Sequence, residues 1–213
     1  MPVPSASDES NNTRPVIGLI GGIGAGKSHV ASILQEEGCF IVESDAIAHE
    51  ALEDPHVREA ILLHFGTNVL AADGRFDRAK LAERIFTDAG LRATLEGIVH
   101  PWIERERRAR TAGASSSSRA IVIDAPLLLE VGLDRECDHV LFIDAPEDIR
   151  RARLMGHRGW SAAQCSVREA AQLPLSQKRA RATAVIENAG DGETADRLLR
   201  AAIHAFLVSI ERA

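Results

Sequence analysis

Val16-Ile17-Gly18-Leu19-Ile20-Gly21-Gly22-Ile23-Gly24-Ala25-Gly26-Lys27-Ser28-His29-Val30 decides how the rest of the chain is read. Residues 16–20 are a short apolar run of strand type. Residues 21–28 then spell G-x-x-x-x-G-K-S, and Val30, Ile33 and Leu34 open a helical apolar face that Gly38 closes. Strand, glycine loop and helix in that order is the context that makes this spacing a phosphate-binding loop. Gly22, Gly24 and Gly26 carry no side chains, so the N–H groups of the loop can turn inward toward phosphate oxygens. The positive end of the following helix lies behind them. Lys27 has the reach for the β- and γ-phosphates, and the Ser28 hydroxyl suits a Mg²⁺ ion that keeps most of its waters. A glycine-rich turn with no ligand would have no use for Lys-Ser at its end.

A chain of 213 residues holds one good core with room for an insertion. A net charge of −6 argues against a general nucleic-acid binder. The three cysteines, Cys39, Cys137 and Cys165, are odd in number and lack metal-ligand spacing, which fits reduced thiols in the cytoplasm. No stretch is long and apolar enough to span a bilayer, and residues 1–14 have neither the basic start nor the apolar segment of a secretory signal. Rich in Ser, Asn and Pro, they read as a disordered tail ahead of a single domain at 15–213. The expectation is a soluble, cytoplasmic monomer.

Beyond Gly38, strands are expected at 39–42, 119–124, 139–144 and 184–186, with helices between them. Strands separated by helices predict an α/β fold with a parallel sheet covered on both faces. Residues 46–118 contain no strand pattern and read as a helical insertion. Asp77 caps one of its helices, and Pro101 should kink or break the helix that starts near Leu91. Ser161 and Gln164 form a capping box, and the last helix carries Leu198, Leu199, Ala202, Ile203, Phe206, Leu207 and Ile210 on one face.

Ligands of such sheets bind beyond the carboxyl ends of the strands, where Asp45, Asp124 and Asp144 fall. Asp45 suits either a base facing the γ-phosphate or an N-cap for the helix from Ala46. Asp124 suits either the Mg²⁺ shell or a turn before Pro126. Asp144 reads as a helix cap. Between residues 150 and 181 lie Arg150, Arg151, Arg153, Arg158, Arg168, Lys178, Arg179 and Arg181, opposed within the segment by Glu169 alone. In an acidic protein that segregation suggests a lid closing over polyphosphate; a solvated helix face is the plainer alternative. A kinked helix can present His100 to a ligand, or His100 can be buried and satisfied. Trp102 and Trp160 suit either stacking surfaces or, by default, core packing. No Asn-Lys-x-Asp guanine signature occurs.

Taken in order, the loop at 21–28, Asp45, His100-Pro101-Trp102-Ile103, Pro126-Leu127-Leu128-Leu129-Glu130, Gln172 with Lys178-Arg179-Ala180-Arg181-Ala182, and Val185-Ile186-Glu187-Asn188-Ala189-Gly190 resemble the dephospho-CoA kinase family over about residues 15–210. The resemblance implies a P-loop kinase fold with a helical acceptor-binding insertion and a basic lid. It also implies transfer of the ATP γ-phosphoryl group to the ribose 3′-hydroxyl of dephospho-coenzyme A. In its terms Gly22, Gly24, Ala25, Gly26, Lys27, Ser28 and His29 carry the ATP phosphates, and Asn188 and Gly190 lie near the adenine. Asp45 acts at the acceptor hydroxyl beside His100, Pro126 and Leu127, Arg153 is a lid arginine, and Ser28, with Asp124 as a further candidate, serves Mg²⁺. The chain departs from the family pattern at Glu43-Ser44, where Asp-Ala is usual, at His29 for Thr, at His157-Arg158 for Arg-Asp, and at Thr183 for Asp.

Overall fold

Five apolar runs make the strands β1 (Val16–Gly21), β2 (Phe40–Glu43), β3 (Ile121–Asp124), β4 (His139–Asp144) and β5 (Ala184–Glu187) of the computed structural model. The structure describes residues 14–212, apart from the side chains of Thr87, His157, Arg158 and Ala162; the expected tail at 1–13 lies outside them. All pairings are parallel, in the order β2-β3-β1-β4-β5, so the glycine loop leaves the central strand. Buried parallel strands must be apolar on both faces, which is why these runs do not alternate with polar residues. Ile17, Leu19, Val122, Leu141 and Ile143 face α1 (Lys27–Glu36) and the last helix, where Leu199, Ile203, Phe206 and Leu207 are buried. Ile20, Ile123 and Phe142 face the opposite way, onto Leu128 and Leu129. Leu198 and Ala202 are exceptions on the expected stripe: both are exposed, Leu198 by 68%, because the contact face is centred on Leu199, Ile203, Phe206 and Leu207.

Between β2 and β3 come α2 (Ser44–Ala51), α3 (Pro55–Phe65), α4 (Arg78–Thr87) and α5 (Ala89–Gly113). Asp54, Asp77 and Asp88 cap α3, α4 and α5 by accepting from N–H groups of the first turn. Val57, Ile61, Phe65, Val69 and Leu81 give this insertion its own small core, each large side chain contributing about 1.5–3 kcal/mol on burial. Trp102 and Ile103 tie it to the sheet edge through Val42, Ile47 and Ile121. Pro101 does not break α5. It and Gly97, whose carbonyl lacks an N–H partner four residues on, are both exposed, and water there can satisfy the carbonyl. Arg14, assigned to the tail on sequence, donates through Nη1 to Ala114 O at 2.7 Å.

After β4 follow α6 (Glu147–Arg158), α7 (Ala162–Ala170) and α8 (Leu175–Ala180), then β5 and α9 (Glu193–Ile210). Ser161 and Gln164 make the expected capping box on α7. Asp144 is no cap: α6 has Pro146 at its N-cap and no side-chain cap, and Asp144 pairs with Arg179. All three cysteines are free. Burial raises the Cys39 thiol to about 11 and the Cys137 thiol to about 12. At pH 8 the thiolate fraction at Cys39 is then about 10⁻³, so native protein treated with iodoacetamide should stay unmodified at Cys39 and Cys137 and react at both once denatured; mass spectrometry reads the difference.

Candidate active site

The loop between β1 and α1 is held open by glycine geometry at two positions. Gly24 and Gly26 have φ values of 78° and 88°, a region L side chains rarely adopt. A Cβ at Gly24 would also lie 2.6 Å from the Arg150 carbonyl oxygen, and one at Gly26 2.3 Å from Asn188 Nδ2. Asn188, 6% exposed, donates from Nδ2 to Ala25 O at 2.8 Å, while its own N–H bonds Asp144 O at 2.7 Å. The end of β5 thus braces the loop from below. Asn188→Ala should leave the Ala25 carbonyl unpaired and cost about 1–3 kcal/mol, read as a lowered melting temperature that saturating nucleotide partly restores.

Three cavities run in series past this loop. The first, about 460 Å³, lies between Gly26, His29, Asn188, Gly190, Asp196 and Leu199. The second, about 640 Å³, contains Gly22, Gly24, Ala25, Lys27 and Ser28 together with Asp45, Asp124, Pro126, Leu127 and Arg153. The third, about 430 Å³, is lined by Ala48, Ile103, Val131 and Leu133 with His100 and Arg107 at its polar side. Gly26 and Arg153 are shared by the first two. Asp45, Pro126 and Leu127 are shared by the last two. Every residue expected at the site therefore lines one of these cavities.

Asp45 is the second residue of α2 and caps nothing: Glu43 holds the N-cap position without a side-chain bond. The helix-cap alternative falls, and the exposed carboxylate faces both cavities. Asp124 ends β3, opposite Glu43 in register. Burial raises its carboxyl above the ordinary 3.8, the Asp45 and Glu43 charges add to the rise, and Lys27 opposes it. A half-buried acid among other acids is short of positive charge, which suits a cation held mainly by water and phosphate. Among the described residues no group of three His, Cys, Asp or Glu is placed to hold a metal by itself.

The basic segment is not a free cationic surface. Arg150 is buried, pairs with Glu169 and donates from Nη1 to Ile23 O at 3.2 Å, so it underpins the loop. Arg151, Lys178, Arg179 and Arg181 pair with Glu147, Glu130, Asp144 and Asp134. Arg153 is held by Asp191 Oδ1 and the Gly190 carbonyl, at 3.0 and 2.7 Å from Nη2. Arg168 stacks 4.3 Å over Trp160, and both line the phosphate-loop cavity, so Trp160 is not core. The side chains of His157 and Arg158 lie outside the described residues. Sequence reasoning also missed Asp196, whose Oδ1 is 2.7 Å from His29 Nε2, and the buried Arg107, which pairs with Glu136 at the wall of the third cavity. Neither stands at a strand end or in a spacing that signals ligand chemistry.

A parallel sheet of this order, with G-x-x-x-x-G-K-S between β1 and α1, is that of a P-loop kinase. A family model described as dephospho-CoA kinase matches residues 15–194. The chain is 44% identical over 191 residues to a dephospho-CoA kinase of Anaeromyxobacter dehalogenans, covering 86% of this chain and 90% of that one. It is 41% identical over 177 residues to a dephospho-CoA kinase of Methylococcus capsulatus, covering 83% and 88%. A crystal structure of TT1252 from Thermus thermophilus superposes with a TM-score of 0.80 at 33% identity, covering 93% and 98%. The dephospho-CoA kinase of Campylobacter jejuni shares the fold at a TM-score of 0.68 and 21% identity, covering 91% and 98%. The protein belongs to the dephospho-CoA kinase family.

Proposed function

We propose that the protein transfers the γ-phosphoryl group of ATP to the ribose 3′-hydroxyl of dephospho-coenzyme A, yielding coenzyme A and ADP. The observation that carries this reading is the position of Asp45 where the phosphate-loop cavity meets the apolar third cavity. ATP would lie with its base in the first cavity against Asn188 and Gly190, and its phosphates along Gly22, Gly24, Ala25, Gly26, Lys27, Ser28 and the His29 N–H. The acceptor would fill the third cavity, against His100, Pro126 and Leu127, and bring its hydroxyl to Asp45. Asp45 accepts the hydroxyl proton as the oxygen attacks phosphorus in line with the departing ADP oxygen. Phosphoryl transfer of this kind is mostly positioning and charge neutralisation, and orienting two bound substrates supplies about 7–11 kcal/mol of the barrier. Lys27 and Arg153 carry positive charge to the transferring oxygens, Arg153 after leaving Asp191. The residues present fit Mg²⁺: the Ser28 hydroxyl and the Asp124 carboxylate share the phosphate-loop cavity, and the ion would neutralise the β- and γ-phosphate oxygens there.

No helix among the described residues is long and apolar enough to cross a membrane. We propose further that it works as a cytoplasmic monomer. The test is a coupled ADP-release assay with dephospho-coenzyme A, with and without Mg²⁺. ADP should appear only when acceptor and metal are both present, with a product one phosphate heavier by mass spectrometry. ADP release at the same rate without acceptor, or faster with another alcohol, overturns the proposal.

A further inference from the structure

Gln172, just beyond α7, lines the phosphate-loop cavity, and its side-chain oxygen is already taken. Lys178 Nζ donates to Gln172 Oε1 at 2.9 Å. Lys178 is 1% exposed and lies on α8, and its ammonium is also 3.2 Å from Glu130 Oε1. That same oxygen accepts from the Leu173 N–H at 2.8 Å, so the chain on either side of the Gln172–Leu173 peptide is fastened to one ion pair. Glu130 belongs to the turn carrying Leu127 and Leu128, and its second oxygen is buried with no partner among the described residues. A buried ion pair of this kind is weak evidence for stability, because the cost of desolvating two charges rivals their attraction. Its geometric effect is definite. A carboxamide whose oxygen is fixed on a buried ammonium turns its NH₂ away from that ammonium, and Gln172 lines the cavity holding Gly22, Gly24, Lys27 and Asp45.

We infer that the Gln172 carboxamide is a hydrogen-bond donor to the γ-phosphoryl group of bound nucleotide, and that Lys178 and Glu130 are positioning residues that fix which end of the amide faces it. The inference rests on the reading of the second cavity as the nucleotide phosphate site. It assigns to the end of α7 a neutral contact that complements the charges of Lys27 and Arg153. A neutral donor of fixed direction neutralises nothing in the empty site and strengthens as charge shifts onto the transferring oxygens.

Gln172→Glu keeps the oxygen that Lys178 grips and exchanges only the NH₂ for a second oxygen. Titration calorimetry with ADP and with the β,γ-imido analogue of ATP should show ADP affinity within about twofold of the unsubstituted protein and analogue affinity lower by about tenfold to a hundredfold. Gln172→Met removes the donor without adding charge and should show the same selective loss for the analogue; a loss confined to Gln172→Glu is charge repulsion and overturns the inference. So does analogue affinity unchanged in both variants. The double variant Glu130→Gln/Lys178→Met removes both charges together and leaves neither buried alone, so its melting temperature should hold. Its affinity for the β,γ-imido analogue should nonetheless fall about tenfold with ADP affinity little changed; unchanged analogue affinity in a folded double variant makes the pair purely structural and overturns the positioning role. The calorimetry needs no acceptor, so an unsubstituted protein inactive toward dephospho-coenzyme A defeats the acceptor assignment while leaving the Gln172 contact to be judged on its own.

Discussion

Asp45→Asn is expected to lower kcat by about 10²–10⁴-fold while leaving ATP affinity within about twofold. Asparagine keeps the shape and removes the proton-accepting charge. The change is safe for the fold because Asp45 is exposed and caps no helix, so no buried group loses a partner. Its effect should therefore appear in turnover at saturating substrates rather than in melting temperature. On the proposed reading ATP would lie along the loop and Lys27, in the cavity Asp45 also lines, and would not need the Asp45 carboxylate in order to bind. Steady-state kinetics with both substrates saturating, beside calorimetric titration of the nucleotide, separates the two quantities. Near-full turnover by Asp45→Asn would reduce Asp45 to a favourable charge at the start of α2 and leave the acceptor hydroxyl without a base.

Most of the fold was legible because buried parallel strands announce themselves as apolar runs, and the turn residues between them are chemically explicit. The strand at 16–20, the capping aspartate at 77 and the box at Ser161 and Gln164 each rest on local physics that the structure keeps. What was not legible is where a local pattern has two solutions or where the partner is distant. Asp45 offered two uses with the same residue type, and only its place inside the first turn of α2 separates them. Leu198 satisfies the helical period but sits at the edge of the face α9 buries. The segment at 150–181 looked like uncompensated positive charge, because Asp144, Asp134 and Glu130 lie outside it in sequence and against it in space. Charge segregation along a chain is not segregation in the fold. For the same reason Gln172 carried no physical signal of its own, since its oxygen is held by a lysine on the next helix and that lysine by a glutamate on the other side of β4 in sequence.

The cation that the loop itself places in the phosphate-loop cavity is Lys27. Lys27→Ala is expected to cut kcat by about 10²–10³-fold, equivalent to about 2.7–4 kcal/mol of transition-state stabilisation, and unlike Asp45→Asn to weaken ATP binding as well. Lys27 begins α1 at the mouth of the loop and shares its cavity with Asp45 and Asp124. Its charge is what opposes the upward shift of the Asp124 carboxyl, which burial, Asp45 and Glu43 all drive. Without it, the nucleotide would meet acids with less to balance them, so repulsion is added to the lost contact. The backbone N–H groups and the α1 dipole remain, and they should retain measurable affinity. Lys27→Arg separates charge from shape: a guanidinium restores the sign of the field but is planar and longer, so it should recover binding more than turnover. Kinetics and nucleotide titration of the two variants together give the reading. If Lys27→Ala kept both its turnover and its ATP affinity, the loop at 21–28 would not be where the transferred phosphate sits, and the roles given to Asp45 and Gln172 opposite it would fall with it.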